Sequence, residues 1–350
     1  MIVELSQGLN KYLSTVGVKQ IYAIYKYYLK HFIEGFLLSF GSILGAVAGI
    51  NYVLQRQPDF FGNLTGSGSR NISVKNPEDI KHSLQELQLD QAVYEQVMGI
   101  IQLLKSPLGE TEKIRRELFQ VKASKGILLE GPPGNGKTHL AKAIAKEAGY
   151  HLIEVSGPNM HKKFLGDSEA LLANIFKAAK KNQPCVIFVD EIDALIPKRE
   201  ANDGSAIGKH YTSLTDKFLE EMTHIDDNDQ ILVIGATNFI ARLDRAATRR
   251  GRFDAKICLS LPDAEQRQRI MSAEFDRLKL PQSAEIESFR KNLIERLTIL
   301  TEKFSPIELR SVFKDAKLYC YEHKLGNYTV DVFVNAAIQI QSQERLKMRN

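Results

Sequence analysis

The sequence predicts an α/β protein: a parallel sheet with helices on both faces, followed by a small domain that is entirely helical. Between residues 78 and 262, short apolar runs alternate with helical stretches, which is the pattern of parallel strands buried on both sides. From Pro262 onward the periodicity is helical throughout. The candidate strands are Ile127–Leu129, His151–Val155, Val186–Val189, Ile231–Ile234 and Lys256–Leu259, and the candidate helices of the second domain are Glu265–Phe275, Glu287–Leu300, Pro306–Tyr321 and Val330–Leu346.

An uncharged segment near the N-terminus predicts a transmembrane helix over residues 35–55, after an amphipathic, tyrosine-rich segment over 1–34. No charged residue lies between Glu34 and Arg56, and about 20 mostly apolar residues suffice to cross a bilayer. A buried helix and a hairpin in the membrane plane stay open as alternatives, because glycines and Asn51 interrupt the apolar run. The Gly- and Ser-rich residues 56–77 are predicted to be a linker. The large domain then covers 78–262 and the helical domain 263–350.

Residues 131–138 fit the pattern of a phosphate-binding loop, G-x-x-x-x-G-K-[ST], at every fixed position. A candidate strand precedes this loop and a candidate helix follows it, as the motif requires. Glycines let several backbone N–H groups point at one anion, and the helix N-terminus adds its positive dipole end. The lysine can reach the terminal phosphates and the threonine hydroxyl can bind Mg²⁺. The predicted binding residues are Gly131, Pro132, Pro133, Gly134, Asn135, Gly136, Lys137 and Thr138.

Polar residues follow two of the candidate strands. Asp190 and Glu191 come directly after the strand Val186–Val189, and Asn238 follows the strand Ile231–Ile234. We expect Asp190 to hold Mg²⁺ opposite the threonine of the loop, and Glu191 to orient and polarise the attacking water. Asn238 could position the same water or contact the terminal phosphate.

The distribution of charged residues and cysteines indicates which partners and which compartment the chain is suited to. Residues 1–56 hold five Lys or Arg against two Glu, which is +3 of the formal net charge of +5. The nucleotide-binding part therefore has little excess positive charge, and no nucleic-acid partner is expected. Cys185, Cys258 and Cys320 lie far apart in apolar contexts and are predicted to be small core residues in a reducing compartment.

With these motifs in place, the chain resembles the AAA ATPase family from about residue 85 to the C-terminus. The resemblance rests on the phosphate loop, the acids after the strand, Gly235-Ala236-Thr237-Asn238 and Gly251-Arg252-Phe253-Asp254. It implies an ATP- and Mg²⁺-dependent hydrolase, a small helical domain that acts as a lid, and a hexameric ring. It further implies that Arg249 and Arg252 are arginine fingers acting on the neighbouring subunit, and that Phe164 is the pore-loop aromatic that grips a polypeptide. From the residues alone, a solvated basic turn stays open for the arginines and a core position for Phe164.

Some positions depart from the family pattern. Gln88 stands where a glycine is usual near the adenine, Arg245 replaces a proline, and Lys303 and Pro306 replace the glycines around Ser305. These changes concern adenine contacts and lid motion, not the phosphate chemistry. For Arg310 the sequence favours a surface position on its helix, with a contact from the lid to the nucleotide as the alternative.

The apolar span favours a membrane-anchored member of the family. The 350 residues contain no His-Glu-x-x-His zinc-protease motif. We therefore expect a motor that unfolds, extracts or translocates protein substrates, with its ATPase domain in a compartment that contains ATP, either the cytoplasm or an organelle matrix. An ATP-switched assembly scaffold or chaperone and the motor subunit of a separate protease stay open as alternatives.

Overall fold

A computed structural model describes residues 72–105, 124–160, 167–198, 206–226, 229–249 and 251–347. Within these ranges no helix has both the length and the apolar character that a membrane crossing needs. The predicted span over residues 35–55 lies outside them.

The large domain is built on a six-stranded sheet in the order β1-β3-β4-β5-β2-β6. The contacts between β3, β4, β5, β2 and β6 are parallel, and β1 pairs antiparallel with β3. The predicted α/β class is confirmed. The strands are β1 (Val74–Lys75), β2 (Gly126–Glu130), β3 (His151–Ser156), β4 (Cys185–Asp190), β5 (Ile231–Thr237) and β6 (Phe253–Cys258).

Three of these strands differ from the sequence prediction by more than a single residue at either end. β5 continues past the predicted end at Ile234 as far as Thr237. β6 begins three residues before the predicted start at Lys256 and ends at Cys258. β1 has only two residues and lies within the range 56–77 that the sequence assigned to a linker. So short a strand carries no apolar alternation, and its register opposite Ile153 and Leu152 is set by the neighbouring strand.

Helices cover both faces of the sheet. On one face, α1 (Gln91–Lys105) and α2 (Lys137–Ala148) pack over Ile127, Leu129 and Phe188. On the other face, α4 (Asp167–Lys181) and α6 (Ala206–Thr223) belong to a core with Leu128 and Val189. Since neighbouring residues of a strand point to opposite faces, burial on both sides explains the unbroken apolar runs. Two one-turn helices, α3 (Gly157–Met160) and α5 (Ile192–Leu195), follow β3 and β4.

The C-terminal domain consists of four helices with their own core. They are α7 (Ala264–Asp276), α8 (Ala284–Leu300), α9 (Pro306–Glu322) and α10 (Val330–Lys347). Phe275, Phe313 and Phe333 lie in this core. The predicted N-cap at Ser305 is confirmed: Ser305 and Glu308 form a capping box at the start of α9.

One prediction about the cysteines is wrong. Cys185 and Cys320 are buried, but Cys258 is exposed at the end of β6, where its thiol donates to the Glu130 carboxylate. β6 is an edge strand along which exposed and buried residues alternate. Cys258 occupies one of the exposed positions.

Candidate functional site

The phosphate loop opens into a cavity of about 480 Å³ between the large domain and the lid. One wall is the loop and the start of α2, and a second is the segment 82–89. The ends of β4 and β5 contribute Asp190, Glu191 and Asn238, while α7 and α9 supply lid residues. Because the parallel strands β3, β4, β5, β2 and β6 end at the same edge of the sheet, polar residues that are distant in sequence meet here.

The loop has the backbone conformation that its glycines predict. Gly134 has φ +80° and Gly136 has φ +88°, in the left-handed region that favours glycine. Asn135 is buried, and its side-chain amide donates to the backbone oxygen of Leu259 at 2.8 Å. This bond holds the loop against the residue that follows β6, so the position of the cradle depends on the sheet edge as well as on the motif.

Lys137 is the first residue of α2 and lies folded over the loop. Its Nζ donates to the backbone oxygens of Gly131 at 2.7 Å and Pro132 at 2.8 Å. Burial lowers the pKa of its ammonium, while the nearby Asp190 carboxylate acts in the opposite direction. The structure thus holds this ammonium at the mouth of the cradle, where it can meet a terminal phosphate.

Thr138 and Asp190 meet across the cavity. The Thr138 hydroxyl donates to Asp190 Oδ2 at 2.9 Å, joining the first turn of α2 to the last residue of β4. A hydroxyl and a carboxylate side by side are hard oxygen donors of the kind that Mg²⁺ takes, directly or through its water shell. These two residues fit the ion that the sequence predicts for them.

Glu191 stands in a strained turn just beyond Asp190. Its φ is +51°, which is unusual for a residue other than glycine, and its backbone N–H donates to Asp190 Oδ1 at 3.0 Å. Although Glu191 occupies the N-cap position of α5, its side chain makes no capping bond. The exposed carboxylate lines the cavity, as a water-orienting group must.

Asn238 also lines the cavity, at the end of β5. Thr237 shapes the turn that presents it: its hydroxyl donates to Asp193 Oδ1 at 2.6 Å and accepts from the backbone N–H of Phe239 at 2.9 Å. The structure therefore brings Lys137, Thr138, Asp190, Glu191 and Asn238 to one cavity.

The lid contacts the loop directly. A Cβ atom built on Gly134 would lie 2.5 Å from Ile307 Cγ2 and 3.0 Å from Ser305 Oγ. Pro306 and Ile307 line the cavity from the first turn of α9, and Gln88 lines it from the opposite wall. Lys303, the other departure from the family pattern, has a left-handed φ of +67°, a conformation that a glycine would adopt without strain.

Arg310 lines the cavity from α9, although its side chain is 37% exposed, so the surface position that the sequence favoured describes only part of its environment. Its Nη2 donates to the backbone oxygen of Glu86 at 3.4 Å, and its Nε lies 3.3 Å from Glu274 Oε1. Glu274 also pairs with Arg277 on α7. This network connects the lid to the segment 82–89 of the large domain.

The two candidate arginine fingers lie away from the cavity. Arg249 is exposed, and Arg252 is half-buried, with Nη1 donating to the backbone oxygen of Ala246 at 2.8 Å. Neither arginine lines the cavity of its own chain. Phe164, the candidate pore-loop residue, lies outside the described residues.

Several cavity residues were missed by sequence reasoning. His82, Glu86 and His139 form one corner, and Glu274 and Arg277 line the lid side. For these residues, the sequence signal that could have predicted a place in the cavity was the position of His139 directly after the loop motif. Burial and the nearby His82 lower the pKa of the His139 imidazole, partly offset by Glu86. Glu274 and Arg277 lie at the end of α7, and His82 and Glu86 lie in the segment before α1, and none of them carries a local mark of a site.

Comparisons with known proteins agree with this geometry. A sequence model of the ATPase family associated with various cellular activities (AAA) matches residues 127–261. The chain is 32% identical over 267 residues to a cell division cycle protein 48 homolog of Archaeoglobus fulgidus, which covers 74% of the chain and 34% of the relative. It is 33% identical over 250 residues to a proteasome-activating nucleotidase of Methanopyrus kandleri, with coverages of 71% and 55%.

A human relative is named ATP-dependent zinc metalloprotease YME1L1. It is 33% identical over 249 residues, 71% of the chain and 29% of that protein. The chain thus spans between about a third and just over half of the length of these relatives. The matched residues contain the phosphate loop, the acids after β4 and Asn238, and the chain therefore carries an ATPase domain of the AAA family.

Proposed function

We propose that this protein is a membrane-anchored AAA ATPase that works in a ring, with six subunits as the expected number, to unfold, extract or translocate protein substrates. The observation that carries the ATPase part is the meeting of Thr138 and Asp190 at 2.9 Å, with Glu191 as the next residue. Two oxygen ligands for Mg²⁺ therefore lie beside the exposed carboxylate of Glu191, on the side of the cavity that faces the phosphate loop.

Each residue has a distinct part in hydrolysis. The loop N–H groups and Lys137 bind the phosphates of ATP, while Thr138 and Asp190 hold Mg²⁺, which neutralises charge on the phosphate oxygens. Glu191 accepts a hydrogen bond from the attacking water and orients it, and Asn238 lies where it can hold the same water or the terminal phosphate. Arg310, Ile307 and Gln88 contact the rest of the nucleotide.

Ring assembly is supported by the positions of the arginines. A hydrolysis site gains from an arginine that neutralises charge on the transferred phosphoryl group. Arg249 and Arg252 lie away from the cavity of their own chain, so they can serve this role only in a neighbour. A ring in which each chain supplies arginines to the next meets this requirement.

Work on proteins is supported by the names of the relatives. One is a cell division cycle protein 48 homolog, one a proteasome-activating nucleotidase and one an ATP-dependent zinc metalloprotease. The nucleotidase name also favours a second candidate, in which this chain is the motor for a separate protease. In both cases ATP turnover serves to move a polypeptide, for which Phe164 is the proposed contact.

The test is to measure ATP turnover by the full-length chain in detergent or liposomes, with and without a permanently unfolded polypeptide. We expect the polypeptide to raise turnover, and the chain to unfold a fluorescent client that carries an unstructured tail. Glu191→Gln is the matched negative control, since it should bind ATP without unfolding the client. If the unfolded polypeptide leaves the rate of ATP turnover unchanged, the result would instead favour a scaffold whose assembly is switched by nucleotide.

A further inference from the structure

The corner of the cavity formed by residues 82, 86 and 139 has a composition that phosphate chemistry does not explain. His82 and Glu86 come from the segment before α1, where a 3₁₀ turn over Leu84–Glu86 brings them to the same side. His139 comes from the first turn of α2. Metal-ligating atoms of the three side chains all lie within 4.8 Å of one another.

We propose that His82, Glu86 and His139 form a binding site for a transition-metal ion of the zinc type, separate from the Mg²⁺ position at Thr138 and Asp190. Two imidazoles and one carboxylate are ligands that Zn²⁺ and neighbouring divalent ions bind strongly. Mg²⁺ prefers oxygen ligands and keeps much of its water, so it competes poorly for this set. Three protein ligands leave a fourth position open to water or another small ligand.

One pair of the three ligands already lies near coordination distance. Bonds of about 2.0–2.1 Å in a tetrahedral site place ligand atoms roughly 3.3 Å apart. His139 Nε2 already lies 3.4 Å from Glu86 Oε2. The ring centroids of His82 and His139 are 4.3 Å apart, with the planes tilted by 59°. The Glu86 side chain is 42% exposed and can rotate towards an ion without disturbing the core.

The polar environment also favours a ligand. His139 Nε2 is buried and, apart from the Glu86 Oε2 atom at 3.4 Å, has no hydrogen-bond partner among the described residues. A buried nitrogen without a partner loses the hydrogen bonds it had in water, and coordination to a metal would restore a strong interaction. Arg310, whose charge also acts on His139, pairs with the Glu274 carboxylate and donates to the backbone oxygen of Glu86. The Glu86 carboxylate is therefore available to an ion.

Such an ion would connect two parts of the large domain. The segment with His82 and Glu86 precedes α1, and His139 directly follows the Thr138 that binds Mg²⁺ in the proposed function. Coordination would fix this segment against α2, and with it the backbone oxygen that accepts from Arg310 of the lid. The site thus lies where an ion can restrict the movement of the lid relative to the phosphate loop.

The experiment is a Co²⁺ titration of the full-length, tag-free chain without nucleotide and in excess Mg²⁺, followed by visible absorbance and by equilibrium dialysis. We expect one equivalent of Co²⁺ per chain, a spectrum typical of nitrogen and oxygen ligands, and displacement by Zn²⁺. His82→Ala and Glu86→Gln should each weaken binding about tenfold or more, since even the loss of an outer partner of a ligand can cost 10–100-fold. His224→Ala, which removes an exposed histidine elsewhere, should change nothing.

Two outcomes would overturn the proposal. The first is the absence of saturable Co²⁺ or Zn²⁺ binding to the folded wild-type chain, which would leave the two rings as a simple packing contact. The second is binding that survives both substitutions, which would place the ion elsewhere. If His82→Ala does not fold, Glu86→Gln decides alone, because it changes an exposed side chain without altering its size. None of these measurements depends on ATP turnover, so the result is separate from that of the proposed function.

Discussion

Thr138 donates its hydroxyl to Asp190 Oδ2 at 2.9 Å, and this one bond joins the phosphate loop to the strand that carries the hydrolytic acids. The two residues are 52 positions apart. They meet because β2 and β4 lie on either side of β5, and because both strands end at the same edge of the sheet. The distance between the loop and Glu191 is set by the same arrangement.

Glu191→Gln should bind ATP and hardly hydrolyse it. Thr138 and Asp190 remain to hold Mg²⁺, while the amide cannot accept the proton of the attacking water. Lys137→Ala should instead lose nucleotide binding, because the ammonium at the mouth of the cradle is removed. Nucleotide affinity and single-turnover hydrolysis, measured on both variants, separate the two effects. Normal turnover by Glu191→Gln would falsify the assignment.

Arg249→Ala should leave ATP binding nearly intact and reduce turnover by roughly 10³-fold or more, the range that arginine fingers supply. The reason is that Arg249 lies away from the cavity of its own chain and acts, in our proposal, on the neighbour. Arg245→Ala is the matched control, since this arginine is also exposed and lies in the same region. We expect the same loss for Arg252→Ala, although its bond to Ala246 gives it a structural role as well.

Mixing provides the test of action between subunits. In rings that combine Arg249→Ala with Glu191→Gln chains, some sites pair an intact Glu191 with an intact arginine from the neighbour. Those sites should hydrolyse ATP, so the mixture should be more active than either variant alone. If mixing restores no activity, the arginine works within its own chain.

Gly134→Ala should weaken nucleotide binding by pushing the lid away from the loop. The added methyl group would lie 2.5 Å from Ile307 Cγ2, at a φ of +80°. Left-handed strain costs roughly 1–2 kcal/mol for a residue with a Cβ, and overpacking adds about 1–3 kcal/mol. Gly149→Ala is the control, since it has a similar φ of +74° and nothing within 4 Å of the new atom.

Melting temperature and ADP affinity measured on both glycine variants distinguish strain from the clash. Gly149→Ala should lose stability alone, and Gly134→Ala should lose both stability and affinity. Ile307→Ala in the Gly134→Ala background should restore part of the affinity, because it removes the side chain that the methyl group meets. Equal affinities of the two glycine variants would mean that the lid does not close on Gly134.

Deletion of residues 1–56 should give a soluble ATPase, while the full chain should stay with membranes after carbonate extraction. The basis is the uncharged run over residues 35–55, long enough to span a bilayer. The comparison is made on both proteins expressed in the same cells. Recovery of the intact chain in the soluble fraction would contradict a membrane span and leave the buried helix as the explanation.

Phe164→Ala should assemble and keep basal ATP turnover, but no longer unfold a client. An exposed aromatic can grip many sequences, because apolar contact needs no matched hydrogen bonds. Phe164→Tyr is the matched control and should keep much of the unfolding activity, since the ring remains. A core phenylalanine cut to alanine would cost roughly 3–5 kcal/mol, so a large drop in melting temperature would show that Phe164 is a core residue.

The sequence by itself determined the parts of this protein whose signal is local. The phosphate loop is a run of eight residues with its own backbone requirements, and β4 is a buried strand that ends in Asp190. The four lid helices follow from periodicity, and α9 begins where Ser305 and Pro306 predict. In each case neighbours in sequence supply the physical reason, whether it is a positive φ, a cap or an apolar face.

Only the tertiary structure decided which distant residues share the cavity. Asn135 contacts Leu259 across 124 positions, and Arg310 contacts Glu86 across 224. Such contacts cannot be predicted from the periodicity of the sequence, because each partner lies in an ordinary helix, turn or strand end. Their meeting depends on the order of the strands and on the docking of the lid. The grouping of His82, Glu86 and His139 arises in the same way, because the fold brings together residues of two segments that are far apart in the sequence.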